Sequence, residues 1–184
     1  MILFLLSFLL IYSGTHLYAF LKARAAFAFG TVTGIYLTAF MVLMIFAPFI
    51  VRLSERYGFE FAARLISYTG YIWLGLLFLF FSASLVFDIY SLLVYAGGLM
   101  LKRDLSGIDI PARLSFFISL FLAVIISFYG YFEAGNIVTE RIIIKTPKIP
   151  KEAGRLKIVQ ISDVHIGLII RGERLKRILE QVKN

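Results

Sequence analysis

Asp163 and His165 are the residues of this chain best suited by type and spacing to hold a metal ion. They lie two apart in Ser162-Asp163-Val164-His165. In an extended segment such residues point to the same side. A carboxylate oxygen and an imidazole nitrogen projecting together suit a first-row divalent ion better than Ca²⁺ or Mg²⁺. Two donors do not close a site, and a hydrolytic two-metal centre needs several more. The competing reading makes Asp163 a turn cap and His165 an ordinary polar loop residue.

The flanking residues suggest how the pair would be positioned. Leu156-Lys157-Ile158-Val159-Gln160-Ile161 is rich in β-branched residues and alternates partly as a strand does. From Arg171 to Asn184, Leu175, Ile178, Leu179 and Val182 fall at i, i+3, i+4 and i+7, which predicts a one-faced helix. Strand, polar tip and helix open an α/β unit, and such sheets bind ligands at the strand's carboxyl end. Upstream, Ile137 to Thr146 reads as a further strand. Pro147 and Pro150 enclose a stiff link, and Gly154 turns the chain into the second strand.

The string IVQISDVHIG, with a short link and an amphipathic helix after it, resembles the first block of the calcineurin-like metallophosphoesterases. More narrowly, the layout resembles the membrane-bound bacterial branch, in which transmembrane helices precede the catalytic domain. The resemblance implies that Asp163 and His165 ligate the first of two divalent ions, Mn, Fe or Zn. It also implies an α/β sandwich that begins β-β-α within residues 133–184. The family's later blocks, GDxxD, GNH[DE] and two further His-bearing segments, do not occur in these 184 residues. On that resemblance the chain reads as an amino-terminal portion of a longer enzyme, inactive by itself and binding no metal tightly.

Residues 1–132 read as a four-helix transmembrane anchor, in keeping with 60% hydrophobic residues and a mean hydropathy of +0.89. The expected spans are 1–21, 29–51, 66–87 and 112–132, each long enough for a bilayer core of about 30 Å. The first lacks a basic leading region and a small-residue cleavage site, so it reads as a retained helix. Ala26, Gly30, Gly34 and Thr38 recur every four residues and predict a close-packing helix face, open also to homo-oligomer formation. Pro48 is placed to bend or end the second span, and Gly58 to turn the connector after it. Tyr68, Tyr71 and Trp73 suit a head-group boundary. The apolar run after Asp88 reads as an extension along the interface, broken at Gly97-Gly98.

His16 and Asp88 are the polar candidates within the helices. Ionisable groups at membrane depth are functional suspects. Against that, His16 suits helix packing, and Asp88 suits an interfacial ion pair with a nearby Lys or Arg. The net charge of +8 falls mostly on residues 133–184, which hold 11 Lys/Arg against 6 Asp/Glu. That surplus suits a juxtamembrane surface, anionic head groups or phosphate-bearing substrates, a lipid-linked phosphate among them. Nothing beyond charge supports nucleic-acid binding. With no cysteine there is no disulfide, thiolate zinc site or cysteine nucleophile. Lys22, Arg24, Lys102, Arg103 and Arg113 on loops one and three favour a bacterial cell membrane with those loops inside and the carboxyl-terminal unit outside the cytoplasm. A reading from a different class is a non-enzymatic four-helix membrane scaffold with a basic tail.

Overall fold

The computed structural model describes residues 2–144, 146, 157–162, 164, 167–168 and 172–183. The chain divides into two units, Met1–Phe132 and Glu133–Asn184. The first consists of four long helices: α1 (Ile2–Phe27), α2 (Thr31–Arg56), α3 (Glu60–Leu101) and α4 (Ala112–Glu133). All four are long and apolar enough to cross a membrane, which makes this a multi-pass membrane protein.

Backbone geometry explains where the helices stop. At the end of α1, Ala28 takes φ +47° and its N–H bonds the Arg24 carbonyl at 2.9 Å, closing the last turn. Between α2 and α3 the chain reverses at Gly58, whose φ of +79° suits a residue without Cβ. Pro48 does not end α2, which continues to Arg56. Membrane helices tolerate proline because neighbouring groups take up the freed carbonyl.

Contacts fix the directions. Trp73 meets His16 and Asp88 meets Lys22, so α1 and α3 advance together and run parallel. α2 runs between them in the opposite sense, with Phe40 against Trp73 and Ala47 against Gly70. A Cβ added at Gly70 would lie 3.3 Å from that of Ala47, so this glycine lets the two backbones approach. α4 lays Ser115, Ser119 and Ala123, one turn apart, into the bundle. Its Phe116 ring packs edge-on against Phe27 and Phe80, at 5.2 and 5.1 Å between centroids. The core comprises Tyr12, Ala19, Met41, Leu77, Phe80 and Ala123.

The third helix corrects the expectation of a break at Gly97-Gly98. It runs unbroken for 42 residues, about 63 Å at 1.5 Å per residue. It ends at Lys102 in the left-handed conformation, with Arg103 N–H on the Gly98 carbonyl at 3.1 Å. The glycines serve the segment that folds back along the helix. A Cβ on Gly98 would sit 3.0 Å from the Arg103 carbonyl oxygen, and one on Gly97 3.6 Å from Leu105 Cδ1. Tyr90 Oη donates to the Ile108 carbonyl and Ser91 Oγ to Asp109 Oδ1, at 2.8 and 2.7 Å. The Ser106 N–H donates to Asp104 at 2.9 Å, which holds that carboxyl below the ordinary carboxylate range. Gly98→Ala is expected to destabilise the protein by about 1 kcal/mol despite alanine's higher helix propensity. By contrast, Gly130→Ala, with open space at the added methyl, should gain up to about 1 kcal/mol. Thermal unfolding in detergent checks both signs.

The second unit corrects the expected β-β-α opening of an α/β sandwich. No strand is present among the described residues, neither at 137–144 and 146 nor at 157–162. β-Propensity is a fit to a pleated, half-buried surface and does not by itself direct the backbone. Here Val138, Ile142, Ile143, Ile144 and Ile158 are all exposed, with no second layer over them among the described residues. The expected helix does form as α5 (Gly172–Lys183), with Leu175, Ile178 and Val182 half-buried.

Candidate functional residues

Asp163 and His165 lie outside the described residues, so their side chains have no structural account. The described residues contain no grouping of three or more His, Cys, Asp or Glu able to hold a metal.

His16 sits in the middle of the bundle, 2% exposed. Its Nδ1 lies 2.7 Å from the Tyr12 carbonyl and its Nε2 2.8 Å from Trp73 Nε1. A carbonyl only accepts and an indole N–H only donates, so the tautomer follows: Nδ1–H donates to Tyr12 and bare Nε2 accepts from Trp73. The imidazole is neutral and both nitrogens are occupied, leaving no lone pair for a metal. Tyr12 meets the His16 ring edge-on at 4.4 Å, and Phe40 meets Trp73 edge-on at 4.8 Å. One polar pair thus ties together α1, α2 and α3. Trp73 is thus half-buried against the core of the bundle. Its sequence signal was that it is the single tryptophan of the chain, set within an apolar run.

Asp88 occupies the end of the α1–α3 contact. Tyr18 Oη donates to its Oδ2 at 2.5 Å, and Lys22 Nζ pairs with its Oδ1. Tyr18 and Lys22 are four apart on α1 and so share a face. That spacing could have identified them beforehand. The Lys22 ammonium also stands 5.7 Å from the centre of the Tyr18 ring, and Phe81 packs edge-on against that ring at 5.0 Å. Lys22 and Asp88 are 19% and 37% exposed, so the pair is partly screened. Lys22→Met and Asp88→Asn are each expected to destabilise, with a coupling of about 0.5–1.5 kcal/mol in the double-mutant cycle. Zero coupling in detergent unfolding would contradict the pairing.

One turn before Asp88, the Ser84 hydroxyl is buried beside Tyr18, and on α4 the buried Ser119 hydroxyl has no hydrogen-bond partner among the described residues. Neither had a signal in the sequence, because serine is common in membrane helices.

Ala26, Gly30, Gly34 and Thr38 do not share one helix. Ala26 belongs to α1, Gly30 caps α2, and Gly34 and Thr38 lie within α2. Gly34 faces its own chain, 3.7 Å from Phe29 and 3.9 Å from Phe20 as judged from an added Cβ. With Arg24 and Thr31, Gly30, Gly34 and Thr38 line an open groove of about 600 Å³ at the α1–α2 turn.

No family model, curated protein or solved structure matches the chain.

Proposed function

We propose that this chain is the membrane anchor and first metal-ligating segment of a metal-dependent phosphoesterase. The observation that carries the reading is the string IVQISDVHIG leading into an amphipathic helix, behind four apolar helices. Asp163 and His165 would contribute one oxygen and one nitrogen to a single ion, a donor set that fits Mn²⁺, Fe or Zn²⁺. The other ligands of a two-metal centre would have to come from outside these residues. When bound, such ions lower the pKa of a water and stabilise charge on phosphoryl oxygens. A carboxylate and a neutral imidazole make this chain's contribution one of holding and orienting the ion. Anchoring in a bilayer favours a lipid-linked phosphate or pyrophosphate ester as substrate. The Lys and Arg residues of loops one and three favour placing those loops in the cytoplasm, with residues 133–184 across a bacterial cell membrane from them.

The test is hydrolysis of a chromogenic phosphodiester by the full-length protein in membranes stripped with chelator, with and without added Mn²⁺. Metal-dependent turnover is expected. None with Mn²⁺, Fe²⁺ or Zn²⁺ would overturn the proposal in favour of a non-enzymatic membrane scaffold.

A further inference from the structure

The end of α3 leaves a question that its length poses directly. Lys22 and Asp88 form a charged pair between α1 and α3, and the 20 residues before Asp88 already span about 30 Å, the thickness of a bilayer core. The next 13 residues, through Leu101, continue the same helix about 20 Å further. They remain apolar there, and Leu92, Leu93, Leu99 and Met100 are 63–85% exposed. A bilayer core of about 30 Å that ended at Asp88 would leave them outside the lipid tails.

Sequence spacing says what covers them. Phe78, Ser82, Leu85, Ile89, Leu92, Ala96 and Leu99 follow one another at intervals of four and three, three full heptads. Leu85, Leu92 and Leu99 recur every seven residues, and Ser82, Ile89 and Ala96 form the alternate series. In a heptad frame these are the two inward positions, with leucine at one and small or β-branched residues at the other. The segment 103–109 covers the opposite side, at Tyr90, Ser91, Gly97 and Gly98, and leaves the seam open. On the projecting part, the seam residues Ile89, Leu92 and Leu99 are each more than half exposed.

We propose that a second copy of this chain covers the seam, α3 against α3, as a parallel two-stranded coiled coil. Membrane insertion gives both copies one orientation, so each seam residue meets its own counterpart. A left-handed supercoil of this kind keeps the 3.5-residue repeat facing the partner. The inference is independent of any phosphoesterase activity.

The chain has no cysteine, so single-cysteine variants have a silent background. Ile89→Cys, Leu92→Cys, Ala96→Cys and, as control, Val94→Cys would be made in the full chain and oxidised in native membranes. Facing seam positions approach within disulfide range, so dimer yields about five-fold or more above the control are expected. Equal yields at all four positions, no dimer at any, or cross-linking of the seam positions to a different protein would overturn the proposal. Protection of those three positions from a water-soluble thiol reagent without dimer formation would do so too, and would point to lipid as the cover.

Discussion

If the proposed phosphoesterase function holds, full-length protein carrying His165→Ala is expected to lose about 100-fold or more of metal-dependent phosphodiester turnover, and Asp163→Asn a comparable factor. Removing the imidazole would take away one of the donors that would hold such an ion and orient its water. A 100-fold loss corresponds to about 2.7 kcal/mol of transition-state stabilisation. Part of the His165→Ala loss should return at high Mn²⁺, because weakened affinity is repaired by mass action. Val164→Ala, between the two, should stay active. Full turnover in both ligand variants would remove these residues from the metal site.

His16→Ala is expected to cost about 3 kcal/mol in the unfolding of the 184-residue chain in detergent. Most of this arises from the cavity left among Tyr12, Trp73 and their neighbours, since large-to-small changes in a core cost about 2–5 kcal/mol. The hydrogen bond itself contributes less, because polar groups in an unfolded membrane chain find other partners; about 0.6–1.7 kcal/mol is typical. His16→Phe separates the two terms. It keeps the ring and removes the acceptor, so about 1 kcal/mol should be lost. Trp73 is the single tryptophan, which makes its emission a one-site report. A blue shift is expected in His16→Phe as the indole N–H loses its partner. An unchanged spectrum with stability within about 0.5 kcal/mol of wild type would contradict the His16–Trp73 bond.

The four helices were legible because each is an apolar run longer than a bilayer core needs, and no other fold explains such runs. Their ends were harder to place. Gly97 and Gly98 suggest a break by propensity, yet the returning Arg103 carbonyl and Leu105 need the space those glycines leave. Small residues every four suggested one packing face from Ala26 to Thr38, but the turn at Ala28 assigns them to two helices. The backbone approach falls instead at Ala47 and Gly70, a pair separated by a connector that spacing within one helix does not reveal. His16 and Asp88 stood out as polar groups in apolar runs. Their partners Trp73, Tyr18 and Lys22 are set by tertiary contact, although the Tyr18–Lys22 spacing hinted at a shared face. The two strands failed for a related reason. Isoleucine-rich segments favour a sheet only when a neighbouring strand and a covering layer exist, and the described residues supply neither.

The most direct test of the functional reading is a count of Mn²⁺ bound by the full-length protein, followed by electron paramagnetic resonance during titration of chelator-stripped samples. Asp163→Asn/His165→Ala is predicted to bind about one ion fewer per chain than wild type. An unchanged count with an unchanged spectrum would show that these two side chains hold no metal.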